Sequence, residues 1–256
     1  MKKGITPKKI ATASGAYLIA WIFVYPYINM FFTSMKTHEE VFAIPTTHVP
    51  KIWQWKNYID VWSAAPIWGY VKSSLIISIS ATILVLIVSI PAAYFISRYR
   101  FKFRGAFLLL VLATQMFSPT ALIILNSGFN LAFAIWLLAG FFSSIPAEIE
   151  EAAMIDGCTR VQALRKVTLP IALPGLVTAV IFTFVAAWNE FTIALTIISS
   201  VDKKPLPVGL MSFIGAYDTN WEYLFATTMI AIVPVVILFI TIEKYLVGGL
   251  TAGSVK

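Results

Sequence analysis

Few residues in this chain are of a type and spacing that could do chemistry. Cys158 is the only cysteine, which excludes an internal disulfide and a Cys-rich metal site. His38 and His48 sit ten residues apart beside a Pro-rich stretch, a spacing that suits no metal, and both read as solvated loop residues. No Gly-x-x-x-x-Gly-Lys-Ser/Thr loop is present, so the chain cannot cradle and hydrolyse a nucleotide by that device. Two places remain. Trp188, Asn189 and Glu190 put an aromatic face beside hydrogen-bonding groups inside an apolar run, a combination that suits a sugar. The alternative is an interhelical hydrogen bond that fixes packing. Asn130 is a weaker candidate of the same kind, with Gln115, Ser118 and Asn126. The second place is the polar stretch 143–170, with Glu148, Glu150, Glu151 and Asp156 followed by Arg160, Arg165 and Lys166.

The elements that must position these residues are membrane spans. Hydrophobic residues make up 59% of the 256 and charged residues 12%, about half the charge of a soluble domain. Lipid must cover some of that surface. Apolar segments fall near 13–34, 72–97, 105–125, 126–142, 171–198 and 223–246. Each predicts a helix, because a helix satisfies its own backbone in hydrocarbon. The expected fold class is an all-α integral membrane protein: one transmembrane domain over 1–256, with six spans and both termini cytoplasmic. The first run, from Ala13 to Phe32, is too long for a signal-peptide core and reads as a retained span.

With the N-terminus inside, 13 of the 19 Lys and Arg face the cytoplasm and 6 face out. Arg98, Arg100, Lys102 and Arg104 form the densest anchor. The net charge of +7 is thus a topology signal, and nucleic acid need not be invoked. The outer loop, about 35–71, holds Trp53, Trp55, Tyr58, Trp62, Trp68 and Tyr70, an interfacial belt or a surface for stacking sugars. Residues 105–142 are short for two spans and a loop, and the turn signal there is Asn126-Ser127-Gly128.

Stretch 143–170 predicts two short helices. Ser143 or Ser144 would cap the first, with Pro146 in its first turn and the glutamates at its positive end. Gly157 supplies a left-handed stop, beside which Cys158 reads as a small cap residue. Thr159 caps the second helix, with Arg165 and Lys166 near its end, and Pro170 closes it and starts the next span. A rigid element tied at both ends to spans could tilt them if a partner moved it. The plain alternative is a solvated connection.

The spacing Glu151-Ala152-Ala153, three residues, Gly157, nine residues, then Val167-Thr168-Leu169-Pro170 resembles the signature of ABC-importer permeases. Val167 departs from it, where isoleucine is usual. Phe133-Ala-Ile-Trp-Leu-Leu138, Ala187-Trp-Asn-Glu-Phe191, Leu206-Pro-Val-Gly-Leu210 and the tail from Tyr245 to Lys256 resemble the carbohydrate, maltose-type branch, and its smaller permease in particular.

The resemblance implies a non-catalytic transport subunit in a bacterial or archaeal cytoplasmic (inner) membrane. It implies that 143–170 is a coupling loop, with Glu150, Glu151, Ala152, Ala153, Asp156, Gly157, Leu169 and Pro170 as ATPase-coupling residues. It implies a second permease subunit, two ATP-binding subunits, an extracytoplasmic sugar-binding protein and surrounding membrane lipid as partners. ATP and Mg would sit on the partner subunits, with no cofactor on this chain. The tail 247–256 would dock at the ATPase or be a frayed, Gly-rich end. An ion-driven secondary transporter, a permease for a non-sugar solute and a structural membrane subunit are the other classes. Apart from Lys72 at the outer edge of the second run, the spans contain no Lys or Arg for an acidic substrate, which favours a neutral sugar.

Overall fold

The structure is a computed structural model that describes residues 7–98, 122–198, 200–215 and 218–252. Helices α1 (Pro7–Ser34), α2 (His38–Val41), α3 (Asn57–Ala64) and α4 (Ile67–Arg98) open the chain. Then come α5 (Leu122–Ser144), α6 (Ala147–Ile155) and α7 (Arg160–Ala163), which runs through a π-turn at Leu164–Thr168 into α8 (Leu169–Ile171). Helices α9 (Leu173–Trp188), α10 (Thr192–Ile197), α11 (Leu206–Gly209) and α12 (Trp221–Ala252) complete it. Among the described residues there is no strand, only one isolated bridge between Ile214 and Thr219. Among the described residues, five segments are long and apolar enough to cross a bilayer: Thr12–Ser34, Ile67–Arg98, Asn126–Ser144, Leu173–Ile197 and Trp221–Glu243.

The expected span at 105–125 lies outside the described residues up to 121, as do Arg100, Lys102, Arg104, Gln115, Ser118 and the tail beyond Ala252. Three boundaries differ from the sequence reading. Asn126-Ser127-Gly128 is not a turn, because α5 passes straight through it. A turn there would strip backbone groups of partners with no water to replace them, so a membrane helix tolerates such residues. The run 171–198 is two helices, broken at Asn189–Phe191. Its first helix starts at Leu173 after a break at Ala172, so Pro174, not Pro170, opens the span.

The chain divides into two units. One holds residues 1–67 and 210–232. Its loop between α1 and α3 is tied by Asn57, whose side-chain amide donates to the carbonyls of Ser34 and Lys36, both at 2.9 Å. Glu40 Oε1 accepts from the Thr47 hydroxyl at 2.8 Å and the Lys51 backbone N–H at 2.9 Å. Burial pushes the Glu40 carboxyl up, but those two bonds and the charges of Lys36 and Lys51 outweigh it and hold it below its ordinary value. A lowered carboxyl stabilises the loop above the unfolded pKa, and that support is lost as pH falls through the folded one. Exchange of the Lys51 amide, corrected for its intrinsic pH dependence, should therefore quicken as pH falls below the ordinary carboxylate range.

His38 is exposed, as expected, but it opens the short helix α2 and has carboxylate partners. Its Nδ1 lies 3.0 Å from Glu222 Oε1, and its Nε2 lies 3.5 Å from Asp218. His48 is exposed, as expected. Trp53 and Trp55 stack with centroids 6.3 Å apart, beside Phe31 and Phe32, and both indoles stay largely exposed. That suits an interfacial belt.

The other unit holds residues 68–209 and 233–256. Its core joins Ala93 and Ile96 of α4, Ile135, Leu138, Ala139 and Phe142 of α5, Ile145, Ala172 and Ala179. Small residues let the helices approach closely, which is what holds helices together where lipid is as apolar as the core. Gly175 of α9 lies against the Phe141 ring, and Gly209 of α11 against Tyr70, with no room for a Cβ at either. Ser74 Oγ of α4 accepts the Leu206 backbone N–H at 2.7 Å.

Candidate functional site

The 143–170 loop forms two short helices, as its sequence predicts, but its first cap differs. Ser143 and Ser144 finish α5, where the Ser144 hydroxyl donates to the Phe141 carbonyl at 2.7 Å. Pro146 is the residue before α6, which carries no side-chain cap. Proline lacks the N–H that would otherwise be unsatisfied, and it separates the two helices sharply. Gly157 adopts φ +92. Its N–H bonds the Met154 carbonyl at 3.1 Å, and the Cys158 N–H bonds the Ala153 carbonyl at 3.0 Å. This pair of bonds satisfies carbonyls left open at the end of α6 and needs a left-handed residue at the joint. Thr159 and Gln162 cap α7 reciprocally, at 3.3 Å and 2.8 Å.

The resulting corner has two faces. Glu148, Glu151, Ala152 and Ile155 follow the i, i+3, i+4, i+7 pattern and are all exposed. Ile155 is 86% exposed, with Asp156, Gly157 and the 64%-exposed Val161 beside it. Glu150 and Ala153 face inward. Glu150 Oε2 lies 2.7 Å from Arg98 Nε, and Arg98 Nη1 donates to the Ile145 carbonyl at 3.0 Å. Burial pushes the Glu150 carboxyl up, against the pull of the Arg160 charge. The Arg98 guanidinium supplies the counter-charge that such burial demands.

The eight residues expected to couple therefore separate. Glu151, Ala152, Asp156, Gly157 and Pro170 are outside, Glu150 and Ala153 are inside, and Leu169 packs half-buried on the core. Sequence reasoning missed Val161, signalled only by an apolar residue at the start of α7. It also missed the second role of Arg98, which a long-range contact creates and no local pattern announces.

The polar group in the spans resolves differently. Glu190 lies in the break between α9 and α10 and bonds the first turn of α10. Its Oε1 accepts from the Ile193 N–H at 2.7 Å and its Oε2 from the Ala194 N–H at 2.9 Å, capping α10. Trp188 is 3% exposed and stacks on Phe184 with centroids 5.7 Å apart. Asn189 is exposed at the break. Asn130 donates to the Asn126 carbonyl of its own helix at 2.7 Å. Of these four, Asn189 alone is exposed. Glu190→Ala should remove the cap, at about 0.5–2 kcal/mol. Faster amide exchange at Ile193 and Ala194 would report it, and unchanged exchange there would contradict the cap.

Residues 55–251 match the family of binding-protein-dependent transport system inner membrane components. The sulfoquinovosyl glycerol transport system permease SmoH of Agrobacterium fabrum is 36% identical, over 91% of this chain and 89% of that one. The diacetylchitobiose uptake system permease DasC of Streptomyces coelicolor is 32% identical, over 91% and 92%. In fold, the chain is similar to a bacterial ABC transporter involved in import of the acidic polysaccharide alginate. The TM-score is 0.74 at 24% identity, covering 92% of this chain and 95% of that one. A match over most of its length, with a bundle of apolar spans and the angled helix pair between two of them, makes the chain a member of the binding-protein-dependent transport system inner membrane components, a multi-pass protein of the inner membrane.

Proposed function

We propose that the chain is one of two permeases in an ATP-binding-cassette importer for a neutral sugar or oligosaccharide. The observation that carries this is the exposed corner at Glu151–Val161, with an uncovered isoleucine and a rigid glycine joint between two spans. An isoleucine so exposed in water contributes nothing to its own fold, and a cleft in a partner would bury it. The partner that fits is an ATP-binding subunit, one for each permease. ATP and Mg sit on those subunits, and this chain is not an enzyme.

Six spans with both termini cytoplasmic give the basic residues their inward majority. The sugar class is supported by the names of the relatives, which are sugar-uptake permeases. Neutrality is supported by the described spans, where the basic side chains described, Lys72 near the start of α4 and Arg98 at its last residue, lie toward the two ends of one helix. An extracytoplasmic binding protein delivers the sugar, and Asn189 is the residue offered to it in this half of the pathway.

The test is uptake of a labelled neutral oligosaccharide by the whole assembly in proteoliposomes, without an ion gradient. Uptake that requires ATP supports the proposal. Uptake that persists without ATP and follows an imposed sodium or proton gradient replaces it with an ion-driven transporter. ATP-driven uptake of uronic-acid oligomers alone replaces the neutral substrate with an acidic one.

A further inference from the structure

Arg98 is the last residue of α4, where the positive-inside rule would leave a cation in water or among lipid phosphates. It is instead turned inward, with its side chain 14% exposed. One guanidinium holds two points of the loop, the Ile145 carbonyl at 3.0 Å and Glu150 Oε2 at 2.7 Å. The first point is the joint between α5 and α6, and the second is the first turn of α6. One turn before Arg98, Tyr94 meets Phe142 edge-on, with centroids 6.1 Å apart. Both charges are too buried for the pair to be a surface decoration, and a planar fork is the side chain that can hold two acceptors at once.

The opposite end of α4 is fastened as well. Tyr70 is buried against Gly209, and Ser74 accepts the Leu206 N–H. The helix is 32 residues long, roughly 48 Å at helical rise. It thus joins the cytoplasmic corner to the Leu206–Gly209 segment. A displaced α6 must drag α4 or strip a buried carboxylate of its counter-charge.

We infer that Arg98, through its grip on Ile145 and Glu150, is the positioning residue that transmits movement of α6 to α4. This rests on the proposed importer function, and the experiment separates the two. Wild-type assembly without ATP-driven uptake would sink the function itself, whatever the variants do. Given ATP-driven uptake, the informative variant is the double Arg98→Met/Glu150→Met. Arg98→Gln alone leaves a buried carboxylate unpaired and is expected to fold poorly, whereas the double leaves an apolar pair of similar volume.

Uptake per ATP hydrolysed is the readout, because a purely structural role changes the amount of complex and not that ratio. The double variant is expected to assemble with its ATP-binding subunits and to show a ratio lower by about tenfold, within the range of coupling between distant sites. An assembled double variant with the wild-type ratio overturns the inference. So does a double variant that no longer assembles, since the pair would then be holding the fold and not carrying motion.

Discussion

Ile155→Asp leaves this chain folded and strips it of its ATP-binding subunits. Ile155 is 86% exposed, so the chain loses almost no packing when the side chain goes. Surface changes of that kind stay within about 0.5 kcal/mol. In a partner's cleft the same side chain is worth roughly 1.5–3 kcal/mol of burial, and a carboxylate there adds a desolvated charge. A loss of about 2 kcal/mol or more is the size of an interface anchor, or about 30-fold in affinity. Ile155→Asn reproduces most of the effect without placing a negative charge at the negative end of α6. Titration of the ATP-binding subunits onto the solubilised chain reads it directly. Wild-type affinity in both variants would move the docking surface elsewhere.

The second large effect is on the bundle itself. A Cβ at Gly175 would land in the Phe141 ring, and one at Gly209 in the Tyr70 ring. Tyr70 is 1% exposed and cannot swing into lipid. Gly175→Ala and Gly209→Ala should each cost about 1–3 kcal/mol by overpacking, despite the better helix propensity of alanine. Gly140 has open space around it among the described residues, so Gly140→Ala is the control expected to hold or raise stability. Thermal melting in detergent ranks the three. Pairing Gly209→Ala with Tyr70→Leu should recover part of the loss, since the ring is what the methyl meets. Equal melting of Gly175→Ala, Gly209→Ala and Gly140→Ala would contradict the close packing described.

How much of this was legible beforehand follows from the range of each interaction. The corner at 143–170 was, because its determinants are local. Gly157 declares a left-handed stop and Thr159 declares a cap, and both act within five residues. The spans were legible as apolar runs, but their ends were not. Asn126-Ser127-Gly128 carries turn chemistry that works only where water can accept the freed backbone, and in α5 it does not. The break after Trp188 had no Gly or Pro to mark it, and Glu190 makes it workable by capping the helix that follows. Glu190 read either as a pathway residue, because an intramembrane carboxylate usually serves function, or as a packing hydrogen bond between helices. Here two backbone N–H groups account for both its oxygens. The partners of His38 and Arg98 were not legible, for one reason. Glu222 and Glu150 lie far along the chain, and hydropathy reports an environment without naming who supplies it.

The most direct test of the account is the ATPase rate of the reconstituted importer, with its partner permease, ATP-binding subunits and sugar-loaded binding protein. Wild type is compared with Gly157→Pro, since proline cannot adopt the φ of +92 that the joint between α6 and α7 requires. The account predicts hydrolysis stimulated by the loaded binding protein in the wild type. In the variant that stimulation is lost while the subunits remain together. Stimulated hydrolysis and uptake undiminished in Gly157→Pro would show that residues 143–170 merely connect two spans, and would contradict the claim that ATP acts on the membrane pathway through them.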